Sequence, residues 1–338
     1  MNDRYSRQTL FAPIGEKGQR RLKKKHVLLV GAGALGTGNA ESLVRGGVGK
    51  ITIVDRDYVE WSNLQRQQLF VESDAIERIP KAIAAKKRLQ QVNSEVEIEA
   101  HILDVGPQEF ESLIENVDLI IDATDNFDIR MIINDISQKY GVPWIYGSCV
   151  GSYGISFTII PNQTPCLHCL METVPIGGLT CDTAGIISPA ANMVVVYQTA
   201  EALKILTEDW GARREKLVSF DLWKNEESKI NVSSLRKADC TSCGVHPTYP
   251  FLDYENQTKS AVLCGRDSVQ IRPAKKEKRD LETIAQTLSS MGKVEQNPFL
   301  LSFTVEKKRL VLFQDGRTLI HGTKNISEAK TLYHRYLG

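Results

Sequence analysis

An α/β chain is predicted by three features of the sequence: a mostly parallel central sheet extended by antiparallel strands, followed by a small α+β C-terminal domain. First, short apolar runs suited to buried parallel strands alternate with helical segments as far as residue 148. Second, the run His26–Val30 opens directly into Gly31, Ala32, Gly33, Ala34, Leu35 and Gly36, a GxGxxG set between a strand and a helix. This is the turn of a Rossmann-like nucleotide-binding fold: the first glycine permits the bend, the second lets a phosphate come close, and the third lets the helix pack on the strand. Third, from Tyr153 onward strands follow one another without helices, which fits antiparallel additions at the sheet edge.

Residues 1–25 contain a helical stretch ending in Arg20, Arg21, Lys23, Lys24 and Lys25, a charge run that reads as a solvated helix face. The helix after Gly33 offers unpaired N–H groups and a partial positive charge to an anion. The second strand, residues 51–54, ends at Asp55, the distance at which a carboxylate can hold ribose hydroxyls. Residues 58–70 are polar, and Pro80 opens a helix carrying Ala82, Ile83 and Leu89. Residues 96–102 alternate as a strand, Pro107 starts a helix, and residues 117–121 form an apolar strand that runs into DATDN. A helix over 126–140 is stopped by Gly141 and followed by a strand over 144–148. Beyond it lie a strand over 155–160, a loop over 162–190 with three cysteines, an apolar helix over 192–206, a strand over 217–222 and a return strand over 230–232. These elements set a first domain at 1–248 and a second at 249–338. In the second, residues 275–280 are a charged connector, Leu281, Ile284, Ala285 and Leu288 recur at helical spacing, residues 299–305 and 310–313 are strands, and Asp315 with Gly316 makes a hairpin turn. A last helix carries Ala329, Leu332, Tyr333 and Tyr336, and a docking or packing role is expected for this domain.

Bulk properties narrow the function. With 42 basic and 41 acidic residues the net charge is +1, so nothing in the total favours a nucleic acid or an anionic membrane as partner. The opening MNDRYSRQ lacks the apolar region of a signal peptide, and no apolar run approaches the roughly 18 residues of a spanning helix. A cytoplasmic protein is expected. In that compartment the seven cysteines are metal ligands or reactive thiols rather than disulfides.

A dehydrogenase would explain the glycines and Asp55 but not the polar and cationic residues after them. Asn63, Arg66 and Gln67 lie just past the second strand, on the carboxyl edge of the sheet where ligands bind. Lys81 stands in the first turn of a helix, where a cation is disfavoured by roughly 0.3 to 1 kcal/mol. It either bends to solvent or acts as a compact counter-charge to a triphosphate, with Arg66 as a bidentate clamp. Asp125 either caps the following helix or holds Mg2+ beside phosphates.

Taken in order, YSRQ, GAGALG, IVDRDYVEWSNLQRQ, PKA, DATDN, two CxxC motifs and CDTAGIISP resemble the ThiF, MoeB and HesA adenylyltransferases, bacterial relatives of the ubiquitin-activating enzymes. The resemblance covers residues 4 to about 246. It implies ATP-dependent adenylation of the C-terminal glycine of a ubiquitin-like sulfur-carrier protein ending in Gly-Gly, in thiamin thiazole or molybdopterin biosynthesis. It further implies a homodimer and a cysteine desulfurase or sulfurtransferase as a later partner. Carried onto this chain, the resemblance implies that Gly31, Gly33, Ala34, Gly36, Asp57, Ser62, Asn63 and Gln67 contact ATP. Asp55 would take the ribose, Arg66 and Lys81 the phosphates, and Asp125 with Asn126 the Mg2+ or phosphate side. Arg7 would reach the site of the other subunit. Ala34 departs from the further glycine that many relatives carry there.

Cys166 and Cys169 form one CxxC pair and Cys240 and Cys243 another, separated by 70 residues. Four thiolates at this spacing suit a closed tetrahedral structural Zn2+, with His168 left outside. The resemblance places Cys181 where some relatives form a thioester, persulfide or acyl-disulfide bond, although adenylation itself needs no enzyme nucleophile. Cys149, on an apolar strand, and Cys264 read as structural. Competing functions are a dehydrogenase, an adenylating enzyme for a modified tRNA base, and a scaffold with a structural nucleotide. The cations after the second strand disfavour the first and third, and the near-neutral charge with four zinc-type cysteines disfavours the second.

Overall fold

The computed structural model describes residues 3–171, 184–253, 260–262, 268–272, 279–305 and 307–337. Cys181, Cys264 and most of the connector over 275–280 lie outside them. The chain divides into two compact units, Met1–Tyr254 and Glu255–Gly338.

The first unit is built on eight strands: β1 His26–Val30, β2 Lys50–Asp55, β3 Glu97–Ile102, β4 Leu119–Asp122, β5 Trp144–Val150, β6 Tyr153–Ile159, β7 Leu217–Asp221 and β8 Glu226–Ile230. Their order is β3-β2-β1-β4-β5-β6-β7-β8. β1 pairs in parallel with β2 from His26 opposite Lys50 to Val30 opposite Val54, and with β4 on its other side. Crossovers therefore leave β1 toward both edges, and a crevice opens at the carboxyl ends of β1 and β4. From β6 onward every pairing is antiparallel, as the loss of intervening helices implied.

Both sheet faces are covered, which is why β1 reads as an uninterrupted apolar run. Val27 and Leu29 join one core with Leu35, Leu43 and Val44 of the Ala34–Gly46 helix, Leu89 of the Lys81–Val92 helix, and Ala191 and Val194 of the Ser188–Leu206 helix. Leu28 and Val30 join the other core with Ile129, Ile132, Ile133 and Ile136 of the Phe127–Tyr140 helix.

Several expectations need correcting. The return strand is β8 and starts at Glu226; Val232, assigned to a strand, lies beyond it with a buried side chain. All of β8 is exposed, so its sequence carries no one-sided apolar signal. The loop over 162–190 contains a helix, Leu167–Met171, too short to show a period. The basic run before β1 is not simply solvated: Arg21 pairs with Glu208 at 2.9 Å and Lys25 with Asp118 at 3.0 Å. The helix after DATDN is capped by Asn126, whose Oδ1 accepts from the Asp128 and Ile129 amides at 2.8 and 3.3 Å, and not by Asp125.

The second unit is a six-stranded antiparallel sheet. Its strands are β9 Ser260–Val262, β10 Ser268–Ile271, β11 Lys293–Gln296, β12 Leu300–Val305, β13 Lys308–Phe313 and β14 Thr318–His321, in the order β11-β12-β13-β14-β10-β9. The helices Leu281–Leu288 and Ile326–Leu337 pack on the face made by Val269, Leu301, Phe303, Leu310, Leu312 and Ile320. Strands β9, β10 and β11 escaped the sequence reading because they are short and carry one or two apolar residues each. Among the described residues no helix is long and apolar enough to cross a membrane.

Candidate functional site

The crevice is lined first by the glycine turn. Gly31 has φ +98°, and a Cβ built on it would stand 2.5 Å from the Ala123 carbonyl oxygen, so the turn and the residue after β4 touch backbone to backbone. A Cβ on Gly36 would stand 2.0 Å from the Gly31 carbonyl oxygen. Gly36→Ala is therefore expected to cost about 3 kcal/mol of stability, the upper part of the range for overpacking, read as a lowered midpoint in urea. Gly33 differs: a Cβ there would meet nothing nearer than Gln67 Nε2 at 3.9 Å. It precedes the Ala34–Gly46 helix, which has no side-chain cap, leaving the helix amides free for an anion.

Asp55, at the end of β2, is drawn against this turn. Its Oδ2 accepts from the Ala32 amide at 2.6 Å and its Oδ1 from the Asp57 amide at 2.7 Å. Burial pushes its carboxyl above the usual range, Lys81 opposes that, and Asp57 adds to it. The polar stretch after β2 then folds back on itself: Tyr58 bridges Pro80, and the Val59 amide donates to the Ile79 carbonyl at 2.9 Å. This return places Lys81 beside Asp57, with its amide donating to the Asp57 carbonyl at 2.9 Å and Nζ 3.5 Å from Asp57 Oδ2. Lys81 is only 4% exposed, so the reading in which it bends to solvent is wrong.

Within the returning stretch, Trp61–Asn63 forms a single 3-10 turn. Asn63 is buried and its Oδ1 accepts from the Glu60 amide at 3.0 Å. Ser62 is exposed, and its carbonyl accepts from Arg66 Nη1 at 2.8 Å. Gln67 is buried next to Gly33, and its Oε1 has no hydrogen-bond partner among the described residues. A buried amide whose Nε2 stands beside the open glycine turn and whose oxygen is unpartnered is suited to a polar ligand. Asp125 and Asn126 follow β4 on the other side of the crevice, with Asp125 exposed. Arg7 is exposed on the Ser6–Thr9 helix.

Two charged groups escaped the sequence reading. Arg56 Nη1 lies 3.4 Å from Asp104 Oδ1. Burial disfavours its charge, but Asp104, Asp57, Asp125 and Asp55 together outweigh burial and hold the guanidinium above its ordinary range. Arg130 Nε lies 3.0 Å from Asp122 Oδ2, with both side chains buried. A partial signal existed for Arg130 alone: it falls on the apolar face of an amphipathic helix, where a charge demands a partner.

The second candidate centre is the cysteine cluster. The Sγ atoms of Cys166, Cys169, Cys240 and Cys243 are buried and lie within 4.8 Å of one another. Individual separations are 3.9 Å for Cys166 and Cys169, 3.7 Å for Cys166 and Cys240, and 3.5 Å for Cys169 and Cys243. A tetrahedral zinc with Zn–S near 2.3 Å needs edges of about 3.8 Å, so the donor set fits that ion. His168 stays outside the group, its Nδ1 3.9 Å from Cys240 Sγ and 3.3 Å from Thr241 Oγ1. The Phe127–Tyr140 helix anchors the cluster's surroundings through Asn134, whose Oδ1 accepts from the Leu167 amide at 2.8 Å, and Asp135, which accepts from the Phe251 amide at 3.0 Å. Cys149 is half-buried and packs against the first core.

Comparison with known proteins gives consistent findings. The model of the ThiF family matches residues 5–242. The sulfur carrier protein ThiS adenylyltransferase of Bacillus subtilis is 53% identical over 340 residues, covering 100% of both chains. The sulfur carrier protein adenylyltransferase of Thermus thermophilus is 35% identical over 271 residues, 78% of this chain and 96% of that one. Among solved structures, that of E. coli MccB with ATP has a TM-score of 0.63 at 22% identity, over 72% of this chain and 74% of that one, and shares the fold.

Proposed function

The chain belongs to the ThiF family and is an adenylyltransferase, and on that premise we propose that it uses ATP to adenylate the C-terminal glycine of a sulfur-carrier protein of the ThiS type. The observation that carries the reaction is Lys81, a buried cation held against Asp57 beside an open glycine turn. The choice of carrier rests on the 53% identity to a ThiS adenylyltransferase along the full length of both chains.

The amides that open the Ala34–Gly46 helix after Gly33 would hold the triphosphate, with Gly31, Ala34 and Gly36 shaping the turn. Asp55 and Asp57 face the ribose, and Ser62, Asn63 and Gln67 flank the nucleotide. The carrier carboxylate attacks the α-phosphorus of ATP, the bond from that phosphorus to the α,β-bridging oxygen breaks, pyrophosphate leaves, and an acyl-adenylate remains. Both the attacking and leaving groups are anionic, so the work of the protein is to position them and neutralise charge, with Arg66 and Lys81 as the cations. A Mg2+ ion held on the Asp125 and Asn126 side would supply further charge neutralisation for phosphate oxygens.

The four cysteines hold a structural Zn2+ in this reading, which fastens the Leu167–Met171 helix to the segment after β8. Arg7 serves the partner subunit of a homodimer, and Cys181 acts after adenylation, together with a desulfurase or sulfurtransferase. The cytoplasm, which holds ATP and reduced thiols, is the compartment this chemistry requires.

ATP–pyrophosphate exchange with purified carriers ending in Gly-Gly tests the proposal. Exchange is expected with a ThiS-type carrier and not with a MoaD-type carrier. Equal rates with both would remove the assignment of the carrier, and exchange with neither would remove the reaction.

A further inference from the structure

Behind the crevice lies a buried polar network that the proposed chemistry does not use directly. Asp122, Asn39 and Gln198 have no exposed surface, and Arg130 is 8% exposed. Arg130 Nε donates to Asp122 Oδ2 at 3.0 Å, and its Nη2 donates to the Thr124 carbonyl at 2.7 Å and the Gly147 carbonyl at 3.3 Å. Asp122 Oδ1 accepts from the Thr124 amide at 3.0 Å, and Thr124 Oγ1 accepts from the Asn126 amide at 3.1 Å. The residues on each side of Asp125 are thus tied to one buried ion pair, while Asp125 itself reaches solvent.

The network extends to the helix that follows the glycine turn. Gln198 Nε2 donates to the Asp122 carbonyl at 2.8 Å and the Ile145 carbonyl at 3.2 Å, and its Oε1 accepts from Asn39 Nδ2 at 2.7 Å. Gly147 makes room for it: a Cβ there would stand 2.4 Å from Gln198 Nε2. A buried ion pair adds little net stability over apolar packing, but the Arg130 guanidinium bonds a carboxylate and two carbonyls at once and so ties together the segments that carry them.

We propose that Arg130 is a positioning residue for Asp125: with Asp122 and Thr124 it holds the turn after β4 at a set distance from the glycine turn. This rests on the reading of Asp125 as a phosphate-side group. Arg130 reaches Asp125 in two ways, through the backbone of Thr124 and through the attraction of its charge, so the effect of losing it should depend on Asp125.

Arg130→Lys keeps the charge but loses the fork that reaches two carbonyls and a carboxylate. It is expected to lower kcat for ATP–pyrophosphate exchange by about 10- to 100-fold, the scale of a misplaced reacting group, to raise the Mg2+ concentration giving half the maximal rate, and to leave the KM for ATP nearly unchanged. In an Asp125→Asn background the same substitution is expected to cost less than about 2-fold, because coupled residues are not additive. An equal loss in both backgrounds, or no loss in the native background, overturns the proposal. If Arg130→Lys fails to fold by circular dichroism, Thr124→Ala replaces it. That variant removes only the hydroxyl that accepts from Asn126, and additivity with Asp125→Asn again overturns the proposal. Full exchange in Asp125→Asn alone would defeat the phosphate-side reading and this inference with it, a result distinct from additivity.

Discussion

Replacing Lys81 with methionine is expected to lower carrier-dependent ATP–pyrophosphate exchange by about 10²- to 10³-fold, the usual loss for one preorganised group that stabilises developing charge. Methionine keeps the apolar stem of a side chain that is 4% exposed, so packing is largely preserved and the ammonium is what disappears. The loss removes one of the two cations near Asp55 and Asp57 and leaves Arg56 as the other, so in the proposed site the two carboxylates would oppose the negative charge of ATP more strongly. The KM for ATP should therefore rise, since repulsion acts on bound substrate and transition state alike, while kcat falls because the ammonium no longer stabilises charge that develops in the transition state. A second substitution, Asp57→Asn, removes part of that repulsion, and the double variant should recover some ATP affinity relative to Lys81→Met alone. Near-native exchange in Lys81→Met would remove lysine from the mechanism.

Loss of the four-cysteine centre is expected to be the largest stability effect in the molecule. One zinc ion per chain should be found in protein purified without chelator, and Cys243→Ser should lose it. Structural zinc contributes apparent folding energies of about 10 to 16 kcal/mol in small peptides. Even a third of that would lower the thermal midpoint of a unit this size by about 10 to 20 °C. The thiols perturb one another's ionisation. Hydrogen bonds from Cys166 and Cys243 draw the Cys169 thiol down. For Cys243 the neighbouring Cys166 favours the thiolate, but Cys169 and burial prevail and push it up to about 12. Four thiolates this close repel one another, and a divalent cation among them would offset that repulsion.

The pH dependence of this centre has a definite sign. Zinc is held by thiolates, so protons compete with the metal for the sulfurs, and the zinc contribution to stability is lost as pH falls. Thermal midpoints measured from neutral to acid pH should fall together with zinc content. Stability that stays constant while zinc is released, or metal analysis that finds no zinc, would overturn the structural role.

Residue by residue, local signals were legible and contacts between distant segments were not. The apolar run at β1, the glycine turn and the paired CxxC motifs each draw their meaning from neighbours a few residues away, and the fold contains the strand, the turn and the four sulfurs brought together. The exposed edge strand β8 and the short strands β9 to β11 did not announce themselves, because a strand with no buried face, or only three or four residues long, has no usable alternation. The cap of the Phe127–Tyr140 helix went to Asn126 when Asp125 was the candidate, a one-residue difference that decides which side chain remains available to a ligand.

Sequence alone was enough for the order of elements, the glycine turn and the two CxxC pairs, since backbone sterics and residue spacing are short-range properties. Only the tertiary structure set Lys81 against Asp57, Arg56 against Asp104, and Arg130 against Asp122. Those pairings depend on the polar stretch after β2 folding back on itself and on two layers of helices closing over the sheet. Burial there makes an unpaired charge costly, so packing selects the partners that the sequence leaves open.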